Sequence, residues 1–111
     1  MTDREMLELA ARAAGLKEFT EINGRFAVRT RFTGMQDWSP WNPLTDDGDA
    51  LRLAVYLEFE IDITSTGVAV RTRCGLKVLV NKTEEPDLCA AARLAITRAA
   101  AEIGRQKEEQ S

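Results

Sequence analysis

Asp46-Asp47-Gly48-Asp49-Ala50-Leu51-Arg52-Leu53-Ala54-Val55-Tyr56-Leu57-Glu58-Phe59-Glu60-Ile61-Asp62-Ile63-Thr64 decides the fold, because this stretch can be read with two different periods. Leu53, Val55, Leu57, Phe59, Ile61 and Ile63 alternate strictly, as one long strand would. The acids at 46, 47 and 49 instead suit the positive end of a helix, with Thr45 or Asp46 as its N-cap. The cap favours a helix running to about Leu57, then a strand from about Glu58 to Thr64. With Arg52 as its main interruption, that helix is apolar almost all round and wants cover on more than one side. Self-association through it, giving a homodimer, is therefore an expectation.

Immediately upstream, Trp38-Ser39-Pro40-Trp41-Asn42-Pro43-Leu44 holds both tryptophans and two of the three prolines. Proline removes backbone donors and fixes φ, so a shaped loop feeding the helix is expected. Trp41 is expected to plug the core beside that helix, because its ring has a large apolar surface to hide. Trp38, flanked by Asp37 and Ser39, is evenly balanced between core and surface, and any surface site should include it.

Toward the amino terminus, Asn23-Gly24 sits between two alternating runs and signals a two-residue hairpin turn that pairs Phe19 with Val28 and Glu18 with Arg29. Phe26, Val28, Thr30 and Phe32 would share the core face, and Arg25, Ala27, Arg29 and Arg31 the charged one. Thr2 and Glu5 fit a capping box for a first helix carrying Leu7, Ala10, Ala11 and Ala14, which Gly15 would end in a left-handed conformation.

Beyond Thr64, a Thr66-Gly67 loop would set Ile63 against Val70, Asp62 against Arg71 and Glu60 against Arg73. Cys74-Gly75-Leu76 reads as a second turn into Lys77 to Asn81, with Val78 and Val80 on the core side. Pro86 and Asp87 open a last helix whose buried stripe is Leu88, Ala92, Ala95, Ala99 and Ile103. Order is expected to fade at Gly104, which gives one domain over 1–104 and a polar, frayed tail over 105–111. No internal repeat is visible. The expected fold is α+β, a mainly antiparallel sheet of four to five strands with three helices in the order α-β-β-α-β-β-β-α, two of the helices lying across its apolar face.

At 111 residues, with 44% hydrophobic and 30% charged, the chain suits one soluble domain. The start, Met1-Thr2-Asp3-Arg4-Glu5, lacks the basic region and apolar core of a signal peptide, and no apolar run could span a bilayer, so a cytoplasmic location without membrane contact is expected. In that compartment Cys74 and Cys89 would stay reduced, with Cys89 packed in the core. A net charge of −3 with acids and bases interspersed gives no field to draw in nucleic acid from a distance. Histidine is absent, which removes the usual general base and the commonest transition-metal ligand.

Two segments, Trp41 to Val55 and the alanine-rich Ala90 to Gly104, resemble a family of small uncharacterised proteins of bacteriophages and prophages that is similar to the phage α-β-α sandwich domain. The resemblance implies a phage-derived gene and a layered α/β fold, brings no activity or catalytic residues with it, and covers roughly a quarter of the chain. One departure is that Val55 to Phe59 lacks the glycine expected where helix gives way to strand.

Asp46, Asp47 and Asp49 could hold a hard cation, but helix capping accounts for all three, and neither a metal nor a cofactor is expected. Neither cysteine has a histidine to activate it, so no enzyme activity is expected. The leading expectation is a non-enzymatic phage or prophage accessory protein that binds another protein, a host factor being one candidate, through Trp38, Trp41, Asp46 and Asp47. The alternative is a small nucleic-acid-binding module that uses the arginine face. Cross-strand pairing should neutralise Arg29, Arg71 and Arg73, leaving Arg25 and Arg31 as its surplus charge.

Overall fold

The computed structural model of the protein describes residues 2–16, 18–29 and 38–110. Thr2 caps the first helix, α1 (Asp3–Ala13), by accepting the Glu5 N–H on its hydroxyl at 3.1 Å. Gly15, at φ +78°, ends it: the Leu16 N–H reaches back to the Ala11 carbonyl and the Gly15 N–H to that of Arg12. This doubled bond satisfies carbonyls the helix would otherwise leave orphaned. The Asn23-Gly24 turn, with φ of 51° and 77°, then joins β1 (Glu18–Ile22) to β2 (Arg25–Arg29) in the expected register, Phe19 opposite Val28.

A strand that the sequence hides follows. Ser39–Pro40 forms a short β3 against Val28 and Ala27, and the Trp41 N–H bonds to the Phe26 carbonyl at 3.0 Å. Proline is tolerated here because β3 is an edge and needs no outward donor. Ala27, expected on a charged face, is buried between its cross-strand neighbours Thr20 and Pro40.

Asp46 then caps α2 (Asp47–Leu57), which resolves the ambiguous stretch as helix followed by strand. The glycine missing at its end is replaced by Glu58 in the left-handed region, φ 56° and ψ 50°, with the Phe59 N–H bonded to Ala54 and the Glu58 N–H to Val55. Ala50, Leu53 and Ala54 are buried, while Leu51 and Val55, one turn apart, are 60% and 68% exposed. The apolar face left over by the sequence reading is this outward one.

Beyond α2, β4 (Glu60–Thr64), β5 (Gly67–Arg71) and β6 (Lys77–Asn81) form a second antiparallel sheet in chain order. Its first hairpin corrects the expected register by two residues: the loop is Ser65-Thr66, and Glu60 faces Arg71, Ile61 faces Val70 and Ile63 faces Val68. Gly67 belongs to the strand because a Cβ there would lie 2.5 Å from the Val80 carbonyl oxygen. The turn is held by hydroxyls instead, Thr64 Oγ1 lying 3.0 Å from Thr66 Oγ1 and accepting the Thr66 N–H at 3.3 Å. A slip of two preserves the alternation of faces. Asp62 and Arg71 therefore stay exposed, and Val28, Val68, Val70 and Val80 are at most 1% exposed, each burial contributing about 1.5–3 kcal/mol.

A 3₁₀ turn (Lys82–Glu84) leads to α3 (Leu88–Gln110), which Asp87 caps by accepting the Ala90 N–H at 2.7 Å. Ala95 and Ala99 are buried as expected. Leu88, Ala92 and Ile103 are half-buried, and Ala91, Ile96, Thr97 and Ala100 complete the contact. The helix does not fade at Gly104 but runs through it to Gln110. That glycine is a crossing point, since a Cβ there would stand 1.9 Å from the Leu9 carbonyl oxygen of α1. Past it, Lys107 donates to the Ala13 carbonyl and Arg12 pairs with Glu108 at 2.7 Å, so the stretch expected to be a tail is tied to α1.

The described residues thus hold three α-helices and six strands in two three-stranded sheets, not four to five strands in one. The α+β class stands, and the order is α-β-β-β, α-β-β-β, α. In the middle, α3 packs against α1, α2, β5 and β6, while the first sheet meets α1 through Phe19 and Phe26. No described helix is long and apolar enough to cross a membrane.

Candidate functional site

Where the first sheet, the start of α1 and the start of α2 come together, they enclose a cleft of about 740 Å³. Volumes of this order hold small ligands or short peptide segments. Its floor is Leu7, Phe26, Pro40 and Trp41, and its rim is Asp3, Arg4, Glu21, Arg25, Asp46, Asp49 and Arg52.

The aromatic part of the floor, Phe26 and Trp41, continues an aromatic ladder. Phe19 stacks on Phe26 at 5.7 Å between centroids, and Phe26 meets Trp41 at 6.0 Å. Arg4 lies over the Phe26 ring and Arg12 over that of Phe19, both at 5.6 Å, so cations from α1 hold the sheet down through the ring faces. Trp41 is 9% exposed, a core residue as expected that still shows an edge to the cleft.

One wall is the loop from Asn42 to Asp46, which its own side chains shape. Asn42 Oδ1 accepts the Leu44 N–H at 3.0 Å, and its carbonyl accepts those of Thr45 and Asp46. Asp49 Oδ2 accepts the Asn42 N–H at 2.9 Å, while its Oδ1 takes a hydrogen bond from Arg52 at 2.7 Å. Asp46 accepts the Asp49 N–H at 2.8 Å. Asp47 points away and pairs with Arg93 of α3 at 2.5 Å, and Arg93 also donates to the Leu44 carbonyl. Each of the three aspartates thus fixes the loop or its helix, and among the described residues no group of three acids, cysteines or histidines is placed to hold a metal ion.

The rim charges are mostly spoken for. Arg4 bridges Glu8 and Glu21 at 2.9 Å each, and the Glu8 hydrogen bond, reinforced by Glu21 against a desolvation cost, raises its guanidinium above the ordinary value. Arg52 is held by Asp49, with Asp46 at 3.9 Å. Arg25, at the mouth of the hairpin, makes no ion pair with any described residue, and neither does Asp3. The cleft therefore offers an apolar floor with one cation and one anion that no described residue matches.

Of the residues singled out in the sequence, Trp41, Asp46 and Arg25 meet here. Trp38 is 38% exposed outside the cleft lining, with the Arg29 guanidinium 5.5 Å above its ring, and Asp47 serves α3. Arg31 lies outside the described residues. The flat arginine platform is divided, since Arg25 and Arg29 are on the first sheet and Arg71 on the second. Pairing proceeds as anticipated for Arg29 with Glu18 at 3.4 Å but with changed partners elsewhere, Arg71 with Glu60 at 3.7 Å and Arg73 with Glu58 at 2.5 Å. Arg4, Glu21 and Arg52 were missed, because only the tertiary fold brings two helix starts and a hairpin mouth together.

Both cysteines are exposed and free, so Cys89 is not a core residue; it sits in the first turn of α3. Cys74 Sγ lies 3.1 Å from Thr72 Oγ1, and that hydrogen bond, with the Leu76 backbone, lowers the thiol below its usual range. No family model, curated protein or solved structure matches the chain.

Proposed function

We propose that the protein is a non-enzymatic binding protein and that the cleft is where it grips a segment of another protein. The observation that carries the reading is the combination on one concave surface: an aromatic floor, hydrogen-bonded walls and Arg25, which pairs with no described acid. Aromatic surface with an arginine beside it is the composition that dominates protein–protein binding energy. The loop bonds of Asn42, Asp46 and Asp49 hold the walls before a partner arrives, which lowers the ordering cost of binding. A role as a phage or prophage accessory protein, acting in the cytoplasm on a host factor, belongs to the proposal and stands on the two resembling segments alone.

Nucleic acid is the weaker reading. The rim carries four carboxylates against three guanidiniums, and two of those guanidiniums are already paired. A phosphate backbone would meet net repulsion there. Self-association through Leu51 and Val55 is a separate reading supported by their exposure, and sedimentation at rising concentration reads it directly.

Affinity capture from lysate of the source cells tests the binding proposal. Wild type should retain a discrete protein that Arg25→Glu loses and that Trp38→Ala keeps. An identical set retained by wild type and Arg25→Glu, with both folded, would remove the cleft from consideration.

A further inference from the structure

We propose that the outer edge of β4 accepts an extended segment of another protein in which basic and apolar residues alternate. The backbone direction of this edge follows from its neighbours. The Thr66 carbonyl accepts the Lys82 N–H and the Thr72 N–H donates to the Leu76 carbonyl, both at 2.9 Å, so residues 66, 68, 70 and 72 serve β6. Gly67, Ala69 and Arg71 then serve β4 through Thr64, Asp62 and Glu60. Ile61 and Ile63 are left to send their N–H and C=O groups away from the sheet, and no described residue takes up those groups.

The other edges fit such a segment less well, although Lys77 and Leu79 of β6 also direct backbone groups outward. On β6 the outward N–H of Asn81 is already bonded to Glu84 Oε2 at 3.0 Å. β3 is two residues long, and β1 lies beneath Arg4 and Arg12 of α1. Along β4, by contrast, four of five residues are exposed, including Ile63 at 60%.

Side chains state what the edge would take. Ile61 and Ile63 lie on the inner face and want apolar neighbours. Glu60 and Asp62 lie on the outer face, Asp62 with no described partner and Glu60 only 3.7 Å from Arg71, so they want cations. Opposite charges directly across a ladder stabilise it and like charges oppose it. That same rule disfavours a second copy in two of its three registers. The antiparallel register joining Ile61 to Ile63 of another molecule sets Asp62 opposite Asp62, and centring on Ile61 sets Glu60 opposite Asp62, which leaves only the register centred on Ile63, with Asp62 opposite Thr64, free of this repulsion. Strand addition supplies affinity through backbone bonds and selects its partner through the alternating side chains.

Amide hydrogen exchange on the intact protein tests this, with a short blocked peptide of alternating lysine and valine as the probe. The peptide should slow exchange at Ile61 and Ile63 by about tenfold or more, and leave the cleft amides unchanged. A version N-methylated along its docking side should do nothing, and Asp62→Lys, a surface change expected to keep the fold, should abolish protection. Ile63→Thr should weaken it. Equal protection from a glutamate–valine peptide, or no protection at saturating peptide, overturns the proposal. Protection that grows with protein concentration alone also overturns it, since the occupant is then a second copy.

Discussion

The chain builds α-β-β-β twice, and the two halves differ in a way that separates frame from chemistry. Each half starts with a side-chain cap three residues ahead of its amide, Thr2 to Glu5 and Asp46 to Asp49. Both α1 and α2 close with the same pair of reaching-back bonds, and the first hairpin of each half has a two-residue loop. On this shared frame the first half places phenylalanine, tryptophan and arginine and leaves a cleft that the start of α2 completes. The second places Val68, Val70 and Val80 in the core beside α3. Caps and turns set the course of the backbone, and the side chains on the inner faces decide whether a half becomes a filled core or an open site.

The strongest way to break the comparison is to break the join. Gly104→Ala should force α3 off the Leu9 carbonyl and cost about 3 kcal/mol or more, read as a lower urea midpoint. A loss under about 0.5 kcal/mol would mean the two helices do not cross so closely in solution.

Exchanging the helix-ending residues should sharpen it, because the two effects have opposite signs. Gly15→Ala puts a side chain at φ +78° and should destabilise by about 1–2 kcal/mol. Glu58→Gly relieves a left-handed glutamate and should stabilise by roughly 0.5–1 kcal/mol, even though it gives up the exposed Arg73 pair. If both variants are destabilised, Glu58 is held there for its contacts and not merely tolerated.

The smallest effect concerns the turn that only the second half possesses. Thr72→Val removes the hydroxyl beside Cys74, so the thiol should titrate at higher pH and alkylate more slowly near neutrality. The lowered folded-state pKa means this hydrogen bond favours the fold above the unfolded thiol's pKa. Its contribution is lost as pH falls through the folded-state value. Unchanged alkylation in Thr72→Val would assign the lowered pKa to the Leu76 backbone alone.

Much of the frame was legible in the sequence, because caps and turns are local. Asp46, Asn23-Gly24 and Gly15 each act within a few residues of themselves, and each was read correctly. What escaped depends on distant backbone. Gly67 and Gly104 look like a turn residue and a helix stop, yet both are glycine because another segment passes too close for a Cβ. β3 was masked by Pro40, whose compatibility with a strand depends on its being at an edge. Of the site, Trp41, Asp46 and Arg25 were visible as unusual residues. The cleft they share was not, since Arg4, Glu21 and Arg52 arrive from three other elements.

The most direct measurement is amide and indole shift mapping of the labelled protein against a pool of short blocked dipeptides, too small to add a strand to β4. Movement should concentrate at Gly24, Arg25, Asn42, Thr45 and the Trp41 indole N–H, and should vanish in Arg25→Glu. A still cleft with movement confined to Leu51 and Val55 on α2 would contradict the placement of the site between the first sheet and the starts of α1 and α2.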